Sequence, residues 1–133
     1  MTRVSIVRDR EKLRVIFGPR RHLAMGETPS WMVETDYGEA ILNIIPEEES
    51  VHSDTLYIED FRIKLDFRGS GHGTKLFQEV ENFAKRVGAD WLELNSVPTA
   101  IDFWHKMGFR LTEEVLSGLR PTMIKQVGVE SCS

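Results

Sequence analysis

Residues 67–77 read Phe67-Arg68-Gly69-Ser70-Gly71-His72-Gly73-Thr74-Lys75-Leu76-Phe77 and set three glycines and an arginine at the mouth of an amphipathic repeat. Leu76, Phe77, Val80, Phe83, Ala84 and Val87 follow at a spacing that gathers them on one stripe of an α-helix. Lys75, Glu79, Glu81, Asn82, Lys85 and Arg86 take the opposite face, and Gly88 stops the helix. The glycines are therefore expected ahead of the first turn. Backbone N–H groups there have no partner within the helix, and the positive end of the macrodipole adds to them, so the site favours a phosphate or pyrophosphate. Glycine suits the position because it permits φ > 0 and leaves the backbone open to a ligand.

Two familiar phosphate loops are excluded by residue order. Gly73 is followed by Thr74-Lys75, the reverse of the Gly-Lys-Ser/Thr that closes a P-loop. A Gly-x-Gly-x-x-Gly fingerprint from Gly69 would need glycine at Thr74, and one from Gly71 would need it at Leu76. What remains is Arg68-x-x-Gly71-x-Gly73 between a strand and a helix. In this the chain resembles the GNAT superfamily of acyl-CoA-dependent N-acyltransferases, whose motif A wraps the pyrophosphate of coenzyme A. The downstream order fits as well. Asp90 to Asn95 alternates as a strand, and a second helix is expected from Pro98-Thr99, carrying Ala100, Ile101, Phe103, Trp104 and Met107 before Gly108. Ala100-Ile101-Asp102-Phe103-Trp104-His105-Lys106-Met107-Gly108-Phe109 resembles the family's motif B, and Thr122 to Val127 resembles its last strand. The resemblance is close over residues 55–127 and rests on element order alone over residues 1–54.

The rest of the chain sets the frame. At 133 residues with 41% apolar residues it is expected to be a single domain over 1–133, with residues 128–133 a flexible tail. Cys132, the one cysteine, lies in that tail, and His22, His52, His72 and His105 lack the paired spacing of a zinc site, so no metal is expected. No apolar leader or membrane-length run is visible, and the expectation is a cytoplasmic protein with no membrane partner. A net charge of −4 argues against a nucleic-acid partner. From Trp31 to Asp60 there is neither Lys nor Arg, but nine acidic residues. They read either as a solvated face with a solubilising loop at Glu47-Glu48-Glu49, or as an acidic rim for a cationic amine. The first 21 residues are instead rich in arginine, which fits a solvated helix face or a contact surface.

Arg3 to Val7 reads as a strand and Arg8 to Phe17 as a short helix, broken at Gly18-Pro19. Ser30 to Thr35 and Glu39 to Ile45 form a hairpin about Asp36-Tyr37-Gly38. Thr55 to Leu65 reads as a long strand whose phase shifts near Glu59-Asp60-Phe61, as a β-bulge would cause. This order predicts an α/β fold with helices on both faces of a sheet. The resemblance implies a mixed, mostly antiparallel sheet whose middle strands, Thr55–Leu65 and Asp90–Asn95, splay to admit pantetheine.

The implied reaction is transfer of an acetyl group from acetyl-CoA to a primary amine of a small molecule, peptide or protein. The alternative is a coenzyme A-binding module without turnover. By resemblance the donor is held by Phe61, Arg62 and Ile63 on the long strand, by Arg68, Gly69, Ser70, Gly71, His72, Gly73 and Thr74 on the loop, and by Asn95, Phe103 and Lys106. An alkyl amine with a pKa of about 10.4 needs a base, and Glu59 is the first candidate, ahead of Glu93 and Asp60. The alternative role for Glu59 is that of a surface strand residue. Three positions depart from the family pattern. His72 replaces the usual apolar residue between the loop glycines. Trp104 replaces the usual tyrosine acid and cannot donate a proton as an acid, and Val97 stands where asparagine is usual. A monomer and a homodimer are both open.

Overall fold

The computed structural model describes residues 3–8, 30–44, 54–112 and 120–128. Its strands are β1 (Arg3–Arg8), β2 (Ser30–Glu34), β3 (Gly38–Ile44), β4 (Thr55–Ile63), β5 (Trp91–Asn95), β6 (Arg110–Leu111) and β7 (Thr122–Gln126). Helix α1 (His72–Arg86) joins β4 to β5, and α2 (Ile101–Lys106) follows β5. The strands form one open sheet in the order β1-β2-β3-β4-β5-β7-β6. Every neighbouring pair is antiparallel except β4 and β5, which run parallel. The fold is thus a mixed, mostly antiparallel α/β arrangement.

Local chemistry explains the elements. Along β3 the buried Gly38, Ala40, Leu42 and Ile44 alternate with half-exposed residues, so one face of the sheet is apolar. The β2–β3 turn is closed by Thr35, whose Oγ1 accepts from the Gly38 N–H at 3.1 Å and donates to the Gly38 carbonyl at 3.0 Å. Gly38 is required here, because a Cβ would lie 2.4 Å from the Arg62 carbonyl oxygen on β4. The apolar sheet face, including Trp31, Val33, Leu42, Leu56 and Ile58, packs on Phe77, Val80, Phe83 and Ala84 of α1. The stripe expected for this helix is the buried one.

The hairpin, the helix after the glycines and the strand after Gly88 stand where the sequence pattern put them. Four details differ. Pro98–Ala100 forms a 3-10 turn, so the second helix begins at Ile101 and not at Pro98-Thr99. The long strand ends at Ile63, because a 3-10 turn over Leu65–Phe67 follows, and Leu65 is 75% exposed. Gly73 lies inside the first turn of α1 rather than before it, since Gly71 is the N-cap. Arg8 closes β1 instead of opening a helix. The remainder of the helix expected over residues 8–17, the Gly18-Pro19 break, the acidic loop at 47–49, and Cys132 with most of the expected tail lie outside the described residues.

Two irregularities position the site. First, β4 and β5 pair only at Thr55↔Trp91, Leu56↔Leu92 and Tyr57↔Glu93. Beyond Tyr57, β4 continues along β3 as far as Gly38↔Ile63, while β5 follows β7 as far as Asn95↔Thr122, so the two middle strands part. Second, Leu42 pairs with Ile58 but Ile41 pairs with Asp60, leaving Glu59 as an extra residue. This is the bulge that the change of phase in β4 anticipates. Ile58 and Phe61 lie opposite the buried Leu42 and Ala40, so both face the core. The two residues between them, Glu59 and Asp60, are consequently both turned off the core face, on the side of Tyr57 and Glu93.

Candidate functional site

Where β4 and β5 part, a cleft of about 640 Å³ opens toward the first turn of α1. It is lined by β4 from Ile58 to Ile63, the loop before α1, the end of β5 with Ser96 and Val97, and one side of α2. Of the sequence-predicted residues, Glu59, Phe61, Arg62, Ile63, Arg68, Gly69, Gly71, His72, Gly73, Thr74, Asn95, Phe103 and Lys106 all line it. Ser70 does not, although it is exposed on the same loop. Asp60, ranked behind Glu59, also lines the cleft, as does Arg120, which the sequence reading left out. No local signal could have found Arg120, because its place depends on β7 pairing with β5.

The loop is shaped for close approach. Gly69 and Gly71 have φ of 81° and 80°, and a Cβ at either would meet nothing within 4 Å. Backbone conformation is what selects glycine at both. The first helical bond of α1 is Lys75 N–H to the Gly71 carbonyl, and no side chain caps the helix. The N–H groups of His72, Gly73 and Thr74 therefore precede the helical ladder at the positive end of the dipole. At Gly73 the constraint is packing: a Cβ would lie 3.0 Å from Cε1 of Phe103 on α2. His72 secures the loop from behind. Its Nδ1 is 3.0 Å from the Phe67 carbonyl oxygen, which can only accept, so Nδ1 carries the proton. Its ring packs on Tyr37 at 4.8 Å and on Phe67 at 5.1 Å. Arg68 anchors the other flank, its Nε donating to the Ile63 carbonyl at 3.0 Å.

Beyond Tyr57 the backbone of β4 turns toward the cleft an edge that pairs with no described strand. Lys64 N–H donates to the Tyr37 carbonyl on the β3 side. By alternation Arg62 also pairs toward β3, and the N–H and C=O groups of Phe61 and Ile63 point into the gap. The Phe61 N–H donates to Asp60 Oδ1 at 3.1 Å, and Arg62 Nη2 lies 3.3 Å from Asp60 Oδ2. The apolar wall is an aromatic cluster in which Trp104 contacts Phe61 at 4.9 Å, Phe103 at 4.8 Å and Phe109 at 5.2 Å. Trp104 is only 6% exposed, so position 104 serves packing.

Across the sheet from α1, Tyr57 and Glu93 sit at the last paired rung before the strands part. Burial raises the Tyr57 hydroxyl pKa, with Glu93 and Glu59 adding to the effect, so the phenol is held protonated. Burial likewise raises the Glu93 carboxyl pKa. Glu59 is exposed beside them. Asn95, expected to help hold the donor, accepts a hydrogen bond through Oδ1 from Thr122 Oγ1 at 3.0 Å. Among the described residues, no group of three His, Cys, Asp or Glu is placed to hold a metal ion. Nor is any described helix long and apolar enough to cross a membrane.

A family model described as the acetyltransferase (GNAT) family matches residues 13–109. No curated protein sequence matches the chain. Among solved structures, a GNAT-family acetyltransferase from Staphylococcus aureus superposes with a TM-score of 0.58 at 15% identity, covering 75% of this chain and 68% of that one. The PaiA N-acetyltransferase of Thermoplasma acidophilum, solved in complex with coenzyme A, gives 0.57 at 19% identity over 73% of this chain and 59% of that one. The IAA acetyltransferase of Bacillus cereus gives 0.55 at 15% identity over 95% of this chain and 99% of that one. At such identities these likenesses show the fold.

Proposed function

The chain belongs to the GNAT acetyltransferase family, and on that premise we propose that it transfers an acetyl group from acetyl-CoA to a primary amine. The observation that carries this reading is the cleft itself, which joins three features needed by an acyl-CoA. The N–H groups of His72, Gly73 and Thr74 and the cation of Arg68 would meet the pyrophosphate. The gap-facing groups of Phe61 and Ile63 would pair with the pantetheine arm as a neighbouring strand does. Phe61, Phe103 and Met107 give that arm an apolar wall. Acetyl-CoA itself supplies an acyl group on a thiol of pKa about 8.5, a tolerable leaving group without an acid.

The chain's own task is then to hold the thioester carbonyl against a backbone N–H and to take a proton from the incoming amine. Glu59 fits the second role, because the bulge turns it off the core face beside the point where the strands part. Trp104 favours a second reading, a coenzyme A-binding module without turnover, since its buried indole replaces an acid. A thiol-release assay with acetyl-CoA over polyamines, aminoglycosides, amino acids and peptides separates the two. Release dependent on an amine supports the transferase; donor binding with no release from any amine class supports the binding module.

A further inference from the structure

The gap-facing edge of β4 is already occupied by the chain's own side chains. Arg68 Nε donates to the Ile63 carbonyl and Asp60 Oδ1 accepts from the Phe61 N–H, at 3.0 and 3.1 Å. The two caps are not equivalent. A carbonyl oxygen has two lone pairs, so Ile63 can take a ligand donor while Arg68 remains. An amide has one hydrogen, and the Asp60 carboxylate uses it. The other carboxylate oxygen is steadied by Arg62, whose Nη2 is 3.3 Å away.

We infer that Asp60 is a built-in competitor for the Phe61 amide, which the acyl donor must displace in order to bind, making Asp60 a positioning residue for the proposed reaction. The inference rests on the transferase reading above. A thioester or pantetheine carbonyl needs the same N–H, and sharing that hydrogen with a carboxylate in a three-centre bond would bend and lengthen both contacts, so the carbonyl is held well only when the carboxylate leaves. Displacement has a direction. Asp60 pairs with Ile41 and lies off the core face, on the side of Glu59, Tyr57 and Glu93. Released from Phe61, its carboxylate stays on that side, opposite the donor's wall, and adds negative charge where an amine would approach. Donor binding thereby leaves the Asp60 carboxylate free on the acceptor side.

The test is calorimetric titration of the full chain and its Asp60→Ala and Asp60→Asn variants with acetyl-CoA and with 3′,5′-ADP, which carries phosphates but no pantetheine. Asp60→Ala should bind acetyl-CoA about threefold to tenfold more tightly, the span of one net hydrogen bond, with 3′,5′-ADP unchanged. Asp60→Asn keeps a neutral acceptor on the amide and should fall between. In ¹⁵N-labelled protein the Phe61 amide resonance should move on Asp60→Ala much as it does when acetyl-CoA is added to the wild type. Equal tightening toward both ligands would reveal only the loss of a charge, and unchanged acetyl-CoA affinity would show that Asp60 does not compete. Either overturns the inference while leaving the transferase reading intact. Failure of the wild type to bind either ligand overturns both.

Discussion

Single side chains carry most of what distinguishes this site. Glu59 owes its exposure beside the cleft to the extra residue in β4, and as a base for the amine it should matter to turnover and not to donor binding. Glu59→Gln is expected to lower kcat by about 10²-fold with the acetyl-CoA Kd unchanged, which steady-state kinetics and calorimetry together check. Glu93 makes a stability prediction. Its carboxyl pKa is raised by burial, so the folded state holds the proton more tightly than the unfolded chain. Stability from this group is full below the ordinary glutamate pKa and is lost as pH rises through the raised value. Glu93→Gln should therefore be more stable than wild type at neutral pH, with the advantage fading in acid, as urea denaturation at two pH values would reveal. The glycines and Arg68 were legible because their spacing is local. The capping of Phe61 by Asp60 was not, since it depends on where a bulge falls and which way an amide points.

At the scale of elements, the cleft exists because β4 and β5 pair over three residues and then follow different neighbours. α1 and α2 meet at its floor through Gly73 and Phe103. Alanine at Gly73 would gain up to about 1 kcal/mol of helix propensity. Its Cβ would also press within 3.0 Å of a Phe103 ring already packed 4.8 Å from Trp104 and 5.7 Å from Phe61. Overpacking of this kind costs about 1–3 kcal/mol, so Gly73→Ala should lose about 1 kcal/mol net. A gain in the same denaturation experiment would mean that Phe103 moves aside freely. Periodicity located both helices and the hairpin because each pattern lies within one element. It misjudged the end of β4, where Leu65 continued the alternation but the chain turns away into solvent. It also set Gly73 before the helix instead of at its second position, because N-cap geometry is decided by the φ of Gly71 and leaves no mark on hydrophobic spacing.

For the molecule as a whole, one apolar sheet face and α1 form the core, and the aromatic cluster about Trp104 joins that core to the cleft wall. Trp104→Ala should cost about 3–5 kcal/mol and weaken donor binding along with stability. The same packing accounts for tryptophan where the family pattern has an acid. The mixed sheet and the parted strands were foreseeable through the resemblance of two ordered motifs. The acceptor's identity was not, because residues 1–54 carry no motif and the acidic stretch reads equally as solvation. The cleft is proposed to bind an acyl-CoA with its phosphates at the start of α1. Calorimetric titration of acetyl-CoA into the wild type and Arg68→Glu tests it most directly. Saturable one-to-one binding is expected, weakened at least about tenfold by Arg68→Glu; no binding by the wild type, or equal binding by both proteins, would rule out a phosphate site at this loop.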